Sequence, residues 1–332
     1  MYEAKYWESK KDNVQCKLCP HNCKIVEGKT GLCKVRKNVE GKLMSLVYAK
    51  VVAVNVDPIE KKPLYHFMPG TKSLSIGTVG CNLFCNHCQN WDIARGTPES
   101  IPAIDLTPKQ VIEMAKEKGV ETISYTYNEP TVFFEYALEC AKLAKKEGIK
   151  NIIVTNGFIN KEPAEEFIKY MDAANVDLKA FNDDFYKKIC GGKLSVVLDT
   201  LKLFHKNKDK IWIEITNLII DGKNDLTKEV DKMCKWIKEN LSSDVPIHFS
   251  RSFPMYKMQD ISPTPENTLI RVRNIAMKYL NYVYIGNTEL ESNTVCPKCK
   301  KILIHRRQYS LENNLVEGNK CACGEVIFGV FS

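Results

Sequence analysis

The residues in this sequence best suited to chemistry are its fourteen cysteines. Clustered thiols in an intracellular chain bind metal more often than they form disulfides. Cys81, Cys85 and Cys88 stand in a C-x3-C-x2-C arrangement within Gly80-Cys81-Asn82-Leu83-Phe84-Cys85-Asn86-His87-Cys88. Three thiolates in so short a loop can hold three corners of a cubane iron–sulfur cluster. A structural zinc site normally takes four ligands, and no fourth cysteine is near in sequence; His87 is the neighbour able to complete a zinc set. Three protein ligands would leave one iron open, and an open position is where a cofactor or substrate binds.

Two further groups flank this loop. Cys16, Cys19, Cys23 and Cys33 form C-x2-C-x3-C-x9-C, enough for a zinc ion or a second four-iron cluster. A structural metal knuckle is the preferred reading, with His21 able to replace one ligand. Cys296, Cys299, Cys321 and Cys323 pair C-x2-C with C-x-C and are similar to a zinc-ribbon or rubredoxin-like knuckle. Iron and zinc both accept four sulfurs, so spacing does not separate them. Cys190, before Gly191-Gly192, is a candidate catalytic thiol that gives or takes a hydrogen atom; its ordinary reading is a small hydrophobe. Cys140 and Cys234 fall in helical patterns and read as packing residues.

The elements that must position these residues alternate in type. Strand-like runs lie at 74–78, 122–127, 151–155, 174–179, 211–218, 246–250 and 282–285. Helical periods lie between them, at 132–147, 163–171, 194–205 and 226–241. Thr107-Pro108-Lys109-Gln110 carries a capping box with proline at the first helical position, and Thr264-Pro265 repeats its first two features. Repeated βα units imply a parallel sheet with crossover helices. Their number predicts an α/β fold, a partial or complete (β/α) barrel over residues 71–290. Chemistry in such barrels sits at the C-terminal strand ends, and the cysteine loop follows the first strand. Residues 1–70 and 291–332 lack this rhythm and read as small Cys-rich extensions. The run 43–56 looks like a strand pair, and short strands are expected at 301–305 and 325–330.

Cys81, Cys85 and Cys88 on a βα barrel resemble the radical S-adenosylmethionine (SAM) superfamily. The resemblance implies a [4Fe-4S] cluster whose open iron chelates SAM, cleaves it reductively, and yields a 5′-deoxyadenosyl radical that abstracts hydrogen from a substrate. It also assigns SAM contacts. His87 stands where an aromatic residue usually lies against adenine. Asn128 and Glu129 match the segment that receives the methionine amino group, and Asn156 could bond a ribose hydroxyl. Asp177 and Lys179 share one side of the fourth strand, facing ribose and carboxylate, while His248 resembles a histidine near SAM in activating-enzyme relatives. Over its whole length, including 57–67, 89–93, 248–258 and 282–287, the chain is similar to the radical SAM protein of the AmmeMemoRadiSam system, related to pyruvate formate-lyase-activating enzymes. That likeness implies AMMECR1-like and Memo-like partners, an electron donor such as ferredoxin or flavodoxin, and an unidentified protein or small-molecule substrate. A glycyl-radical-enzyme activase is the alternative within the class; a non-catalytic iron–sulfur or zinc protein is the alternative outside it.

Composition limits the remaining classes. Hydrophobic residues make up 44% and charged residues 27%, an ordinary globular balance that excludes disordered and fibrous classes. No apolar run reaches the roughly 18–20 residues of a membrane span. The charged start of the chain lacks a secretory core, so a soluble cytoplasmic enzyme is expected. The net charge of +8 is spread along the chain. Lys298, Lys300, Lys301, Arg306 and Arg307 are basic but lack an aromatic stripe beyond Tyr309, so nucleic-acid binding is not expected.

Overall fold

Eight strands in strictly sequential order form the frame of a computed structural model that describes residues 1–331. Strand β1 (Ala53–Pro58) runs antiparallel to β2 (Lys72–Gly77). From β2 onward all pairings are parallel, through β3 (Thr122–Tyr125), β4 (Lys150–Thr155), β5 (Ala173–Asp177), β6 (Trp212–Ile219), β7 (Ile247–Arg251) and β8 (Val283–Gly286). The end strands β1 and β8 are not paired with one another, so the barrel is partial.

The crossover helices are α1 (Pro108–Glu117), α2 (Phe134–Lys146), α3 (Lys161–Ile168), α4 (Leu194–Lys206), α5 (Thr227–Asn240) and α6 (Glu266–Ala276). The capping box at Thr107 forms, its hydroxyl accepting from the Gln110 amide. Apolar residues recur on one side of each helix and pack on the sheet in a single large core that includes Cys140 and Cys234.

Segment 59–68 fills the N-terminal end of the barrel. Ile59, Leu64, Phe67 and Met68 pack there on Ile152 of β4, Ala173 of β5 and Trp212 of β6. Buried Glu214 of β6 accepts from the backbone amides of Tyr65 and His66 and pairs with His248 Nε2 at 2.6 Å. The inner cavity therefore has a closed floor and opens at the C-terminal ends of the strands.

Three expectations need correction. The run 43–56 is not a strand pair: Lys42–Ser45 pairs with Arg36–Val39 and Tyr2–Glu3, whereas β1 joins the main sheet. Lys50–Val51 pairs elsewhere again, with Ile104–Asp105. At α6 the N-cap is Pro265, and the Thr264 hydroxyl donates to the Ile219 carbonyl at 2.6 Å, tying loop to sheet rather than capping. The C-terminal sheet comprises β9 (Thr294–Val295), β10 (Ile302–Arg307) and β11 (Ser310–Asn314); 325–330 makes isolated bridges at Val326 and Val330 instead of a strand.

Candidate active site

A cavity of about 480 Å³ opens at the C-terminal ends of the parallel strands, within the roughly 300–1,000 Å³ typical of small-molecule sites. Its lining includes Cys81, Cys85 and Cys88 and every residue assigned to SAM by resemblance: His87, Asn128, Glu129, Asn156, Asp177, Lys179 and His248. Residues scattered over more than half the chain meet there because most follow the C-terminal ends of their strands, while His248, second residue of β7, reaches the cavity from within the barrel.

The cysteine loop is held from both sides. The amides of Phe84 and Asn86 donate to the carbonyls of Cys190 and Ile189, at 2.7 and 3.0 Å. Those acceptors belong to a π-helical turn, Tyr186–Cys190, of a kind common at functional sites. The turn ends at Gly191 with φ +72°, where an added Cβ would stand 2.8 Å from the Phe84 ring. On the other side, Gly80 has φ +93°, and a Cβ there would meet the Cys33 carbonyl at 2.8 Å. Glycine is required at both places by conformation and by close approach.

Asn128 reaches back to this loop, its Oδ1 accepting from the Thr78 amide and its Nδ2 donating to the Gly80 carbonyl at 2.8 Å. Glu129 Oε1 takes donors from Thr131 and Thr155, while Oε2 takes only the Asn156 amide and retains acceptor capacity. Burial pushes the Glu129 carboxyl up. Asn156 Nδ2 donates to Asn82 Oδ1 at 2.9 Å and lies 3.7 Å from Cys81 Sγ. Lys179 pairs with Asp177 at 2.7 Å. Burial alone would lower the Lys179 ammonium, but Asp177 and the Cys85 thiol outweigh it and raise it.

The fit of the cluster and SAM to this cavity rests on two features. The thiols of Cys81, Cys85 and Cys88 are not gathered within 4.8 Å of one another as a set. A single tetrahedral ion with bonds of about 2.3 Å needs sulfur edges of about 3.8 Å; separate irons of a cluster need wider spacing. His87 is buried, its two ring nitrogens have no partner, and burial followed by the charge of Lys179 pushes it down to about 3. An orphaned buried imidazole on a cavity wall suits a bound group placed against it.

Cys190 is fully buried and does not line the cavity; its thiol, the Cys85 thiol and a His87 ring nitrogen lie within 4.8 Å of one another. Arg251, Tyr256 and Lys257 do not line it either. Arg251 Nε donates to the Thr264 carbonyl and Tyr256 stacks on Trp91, so these residues form a packing rim.

Sequence reasoning missed a polar cluster on the opposite wall. Asp57 of β1 accepts from Lys61 at 3.0 Å, Lys62 at 2.8 Å and the Tyr127 hydroxyl at 2.7 Å. Burial would raise this carboxyl, but the Lys62 ammonium and the Tyr127 hydroxyl hold it well below the usual range. The signal available was the density of charge and rings in 57–67, which reads equally well as packing.

The flanking cysteines differ from each other. In the C-terminal group all four thiols lie within 4.8 Å, with Cys296–Cys323 at 3.7 Å and Cys299–Cys321 at 3.6 Å, matching the edge of a single-ion tetrahedron. The four N-terminal thiols line one pocket, yet no three of them come mutually within 4.8 Å.

A partial βα barrel with three cysteines after its first parallel strand defines a class, and comparison with known proteins agrees. The sequence profile of the Radical SAM superfamily matches residues 75–237. An uncharacterized protein of Methanocaldococcus jannaschii is 42% identical over 334 residues, covering 98% of this chain and 99% of the relative. The pyruvate formate-lyase-activating enzyme of Clostridium pasteurianum is 28% identical over 174 residues, 51% of this chain and 71% of that enzyme. The SAM-bound structure of SuiB from Streptococcus suis matches with a TM-score of 0.51 at 16% identity, over 69% of this chain and 53% of that one. This chain belongs to the radical SAM superfamily, and over its full length to the family of the M. jannaschii protein. It is a radical SAM enzyme, which removes the non-catalytic alternative.

Proposed function

We propose that the chain binds a [4Fe-4S] cluster through Cys81, Cys85 and Cys88 and cleaves SAM reductively to abstract hydrogen from a protein or small-molecule substrate. The observation that carries this reading is the convergence of the three thiols and seven polar or aromatic residues, from the cysteine loop and four of the parallel strands, on one cavity with a closed floor. Bound together there, cluster and SAM supply carbon–sulfur cleavage and the 5′-deoxyadenosyl radical.

The chain's own residues orient the cofactor and exclude water. His87 offers a ring face to adenine; Asn156 and Asp177 offer partners for ribose hydroxyls. Lys179 holds the methionine carboxylate, and Asn128 with the less occupied Glu129 Oε2 stands at the amino group. His248 is fixed by Glu214, leaving its ring edge on the cavity wall. The barrel, residues 71–290, is extended by the Cys-rich segments 1–70 and 291–332, and the latter carries a structural zinc at Cys296, Cys299, Cys321 and Cys323. AMMECR1-like and Memo-like proteins are the proposed partners, a ferredoxin or flavodoxin the proposed donor, and the cytoplasm the proposed location. Similarity to a pyruvate formate-lyase-activating enzyme supports a glycyl-radical activase as the second reading.

The test is anaerobic reduction of reconstituted protein with dithionite in the presence of SAM. 5′-Deoxyadenosine is expected from the wild type and from Cys140→Ala, whose thiol is buried in the core away from the cavity. Cys85→Ala should form none. Equal yields from both variants would remove Cys85 from the site.

A further inference from the structure

The N-terminal cysteines pose the sharper metal question. Cys16, Cys19, Cys23 and Cys33 line one pocket whose walls include the apolar side chains of Leu18, Ile25, Leu32 and Val132. The thiols share that pocket without any three coming within 4.8 Å, whereas the C-terminal quartet closes to the 3.6–3.7 Å edges of a single-ion site. The same fold thus contains one thiol quartet closed to the edges of a single-ion site and one that is not. Four sulfurs that share one pocket without closing on a single ion suit a polynuclear centre, each sulfur on its own iron.

A second observation comes from charge. Arg36 lines the pocket, is 2% exposed, and its Nε has no hydrogen-bond partner, although its other nitrogens reach Glu135 and the Lys5 carbonyl. A buried N–H without an acceptor is rare and points to an anionic occupant.

The pocket also abuts the catalytic loop. The Cys33 carbonyl packs against Gly80, and His21 Nε2 bonds the Asn82 carbonyl at 2.7 Å, so each contact lands beside Cys81. Asn82 itself lines the pocket.

The geometry points to a second four-iron cluster on Cys16, Cys19, Cys23 and Cys33. It takes one electron from a low-potential one-electron carrier and passes that electron to the cluster on Cys81, Cys85 and Cys88, being reoxidised as the catalytic cluster is reduced. This rests on the proposed function, and it replaces the zinc knuckle preferred from sequence.

The test uses the full chain, reconstituted without oxygen, with iron and zinc counted and clusters followed by electron paramagnetic resonance. Wild type should hold about eight irons and one zinc. C81A/C85A/C88A leaves the N-terminal ligands untouched and should retain about four irons with a reducible cluster signal. C19A/C33A should lose about four irons, keep the catalytic signal, and show reduction of that cluster by a flavodoxin-type carrier slowed about tenfold or more. If C81A/C85A/C88A holds two zinc ions and no iron, the second cluster is overturned while the proposed function stands. If wild type yields no 5′-deoxyadenosine although C81A/C85A/C88A keeps four irons, the proposed function fails instead. An unchanged reduction rate in an iron-depleted C19A/C33A would overturn the relay.

Discussion

His87 shows how one side chain can report what a cavity is for. Its ring is buried on the cavity wall with both nitrogens unpartnered. Stacking contributes about 0.5–1.5 kcal/mol, so His87→Ala should weaken SAM binding roughly two- to tenfold while iron content stays unchanged. His87→Phe should restore or improve affinity, because the face and not the nitrogens makes the contact. Equilibrium binding of SAM to reconstituted protein checks this, and an undiminished affinity in His87→Ala would remove the ring from the adenine site. At this scale the site was legible because cysteine spacing and strand-end positions are local properties of sequence. Asp57, Lys62 and Tyr127 were not, because their meeting depends on the antiparallel strand β1 lying beside β2, which no local pattern announces.

The element that most constrains the cavity is the segment 59–68, threaded across the floor between β6 and β8. His66 bonds the Phe328 carbonyl at 2.6 Å and the Tyr284 hydroxyl at 2.5 Å, and is fully buried. Burial pushes its imidazole down to about 4 despite the nearby Glu214 carboxylate. The folded state therefore holds His66 neutral, while the unfolded chain takes up a proton near pH 6.5. Stability is complete above that pH and falls as pH drops toward 4. Between pH 7.5 and 5.5 the His66 share of the loss should be about 1.4 kcal/mol, beside a similar share from buried His87. Burial would raise Glu214, but its bond to His248 holds it below the ordinary carboxylate range, so it titrates beneath this window. Denaturant unfolding at the two pH values should show the loss in wild type and a flatter profile in His66→Gln; parallel profiles would exclude His66 as the titrating group. The parallel strands and their helices were legible from period and capping, since each is specified by its own residues. Strand partners in 36–58 were not: short polar strands of similar composition have several possible neighbours, and tertiary contacts choose among them.

Across the whole molecule, the C-terminal knuckle closes the side that the open sheet leaves exposed. Arg306 of β10 donates to the Tyr65 carbonyl at 2.7 Å and to Thr294, and its guanidinium lies over the Tyr65 ring at 4.3 Å. The amides of Met68 and Val330 complete the junction by donating to the carbonyls of Val330 and His66. Cys296, Cys321 and Ile327 share a small core with Tyr65, Tyr282 and Tyr284, the last from β8. The four-thiol knuckle and the barrel floor are therefore parts of one packed unit, although some 230 residues separate them in sequence. Structural zinc contributes folding energy directly. Cys299 and Cys323 are exposed, so replacing Cys299 by serine alters the ligand set of the proposed zinc without opening a cavity in the apolar core. If the knuckle only decorated the surface, Cys299→Ser or zinc removal would leave the barrel's thermal transition unchanged. Because Arg306 and Val330 brace the same segment that carries His66, both treatments should instead lower that transition by several degrees, since each kcal/mol lost shifts it by roughly 2–4 °C. The loss should also speed hydrogen exchange at the Tyr65 and His66 amides, which Glu214 protects from within the barrel. Exchange that accelerates only beyond residue 290 would show that the knuckle stabilises itself alone.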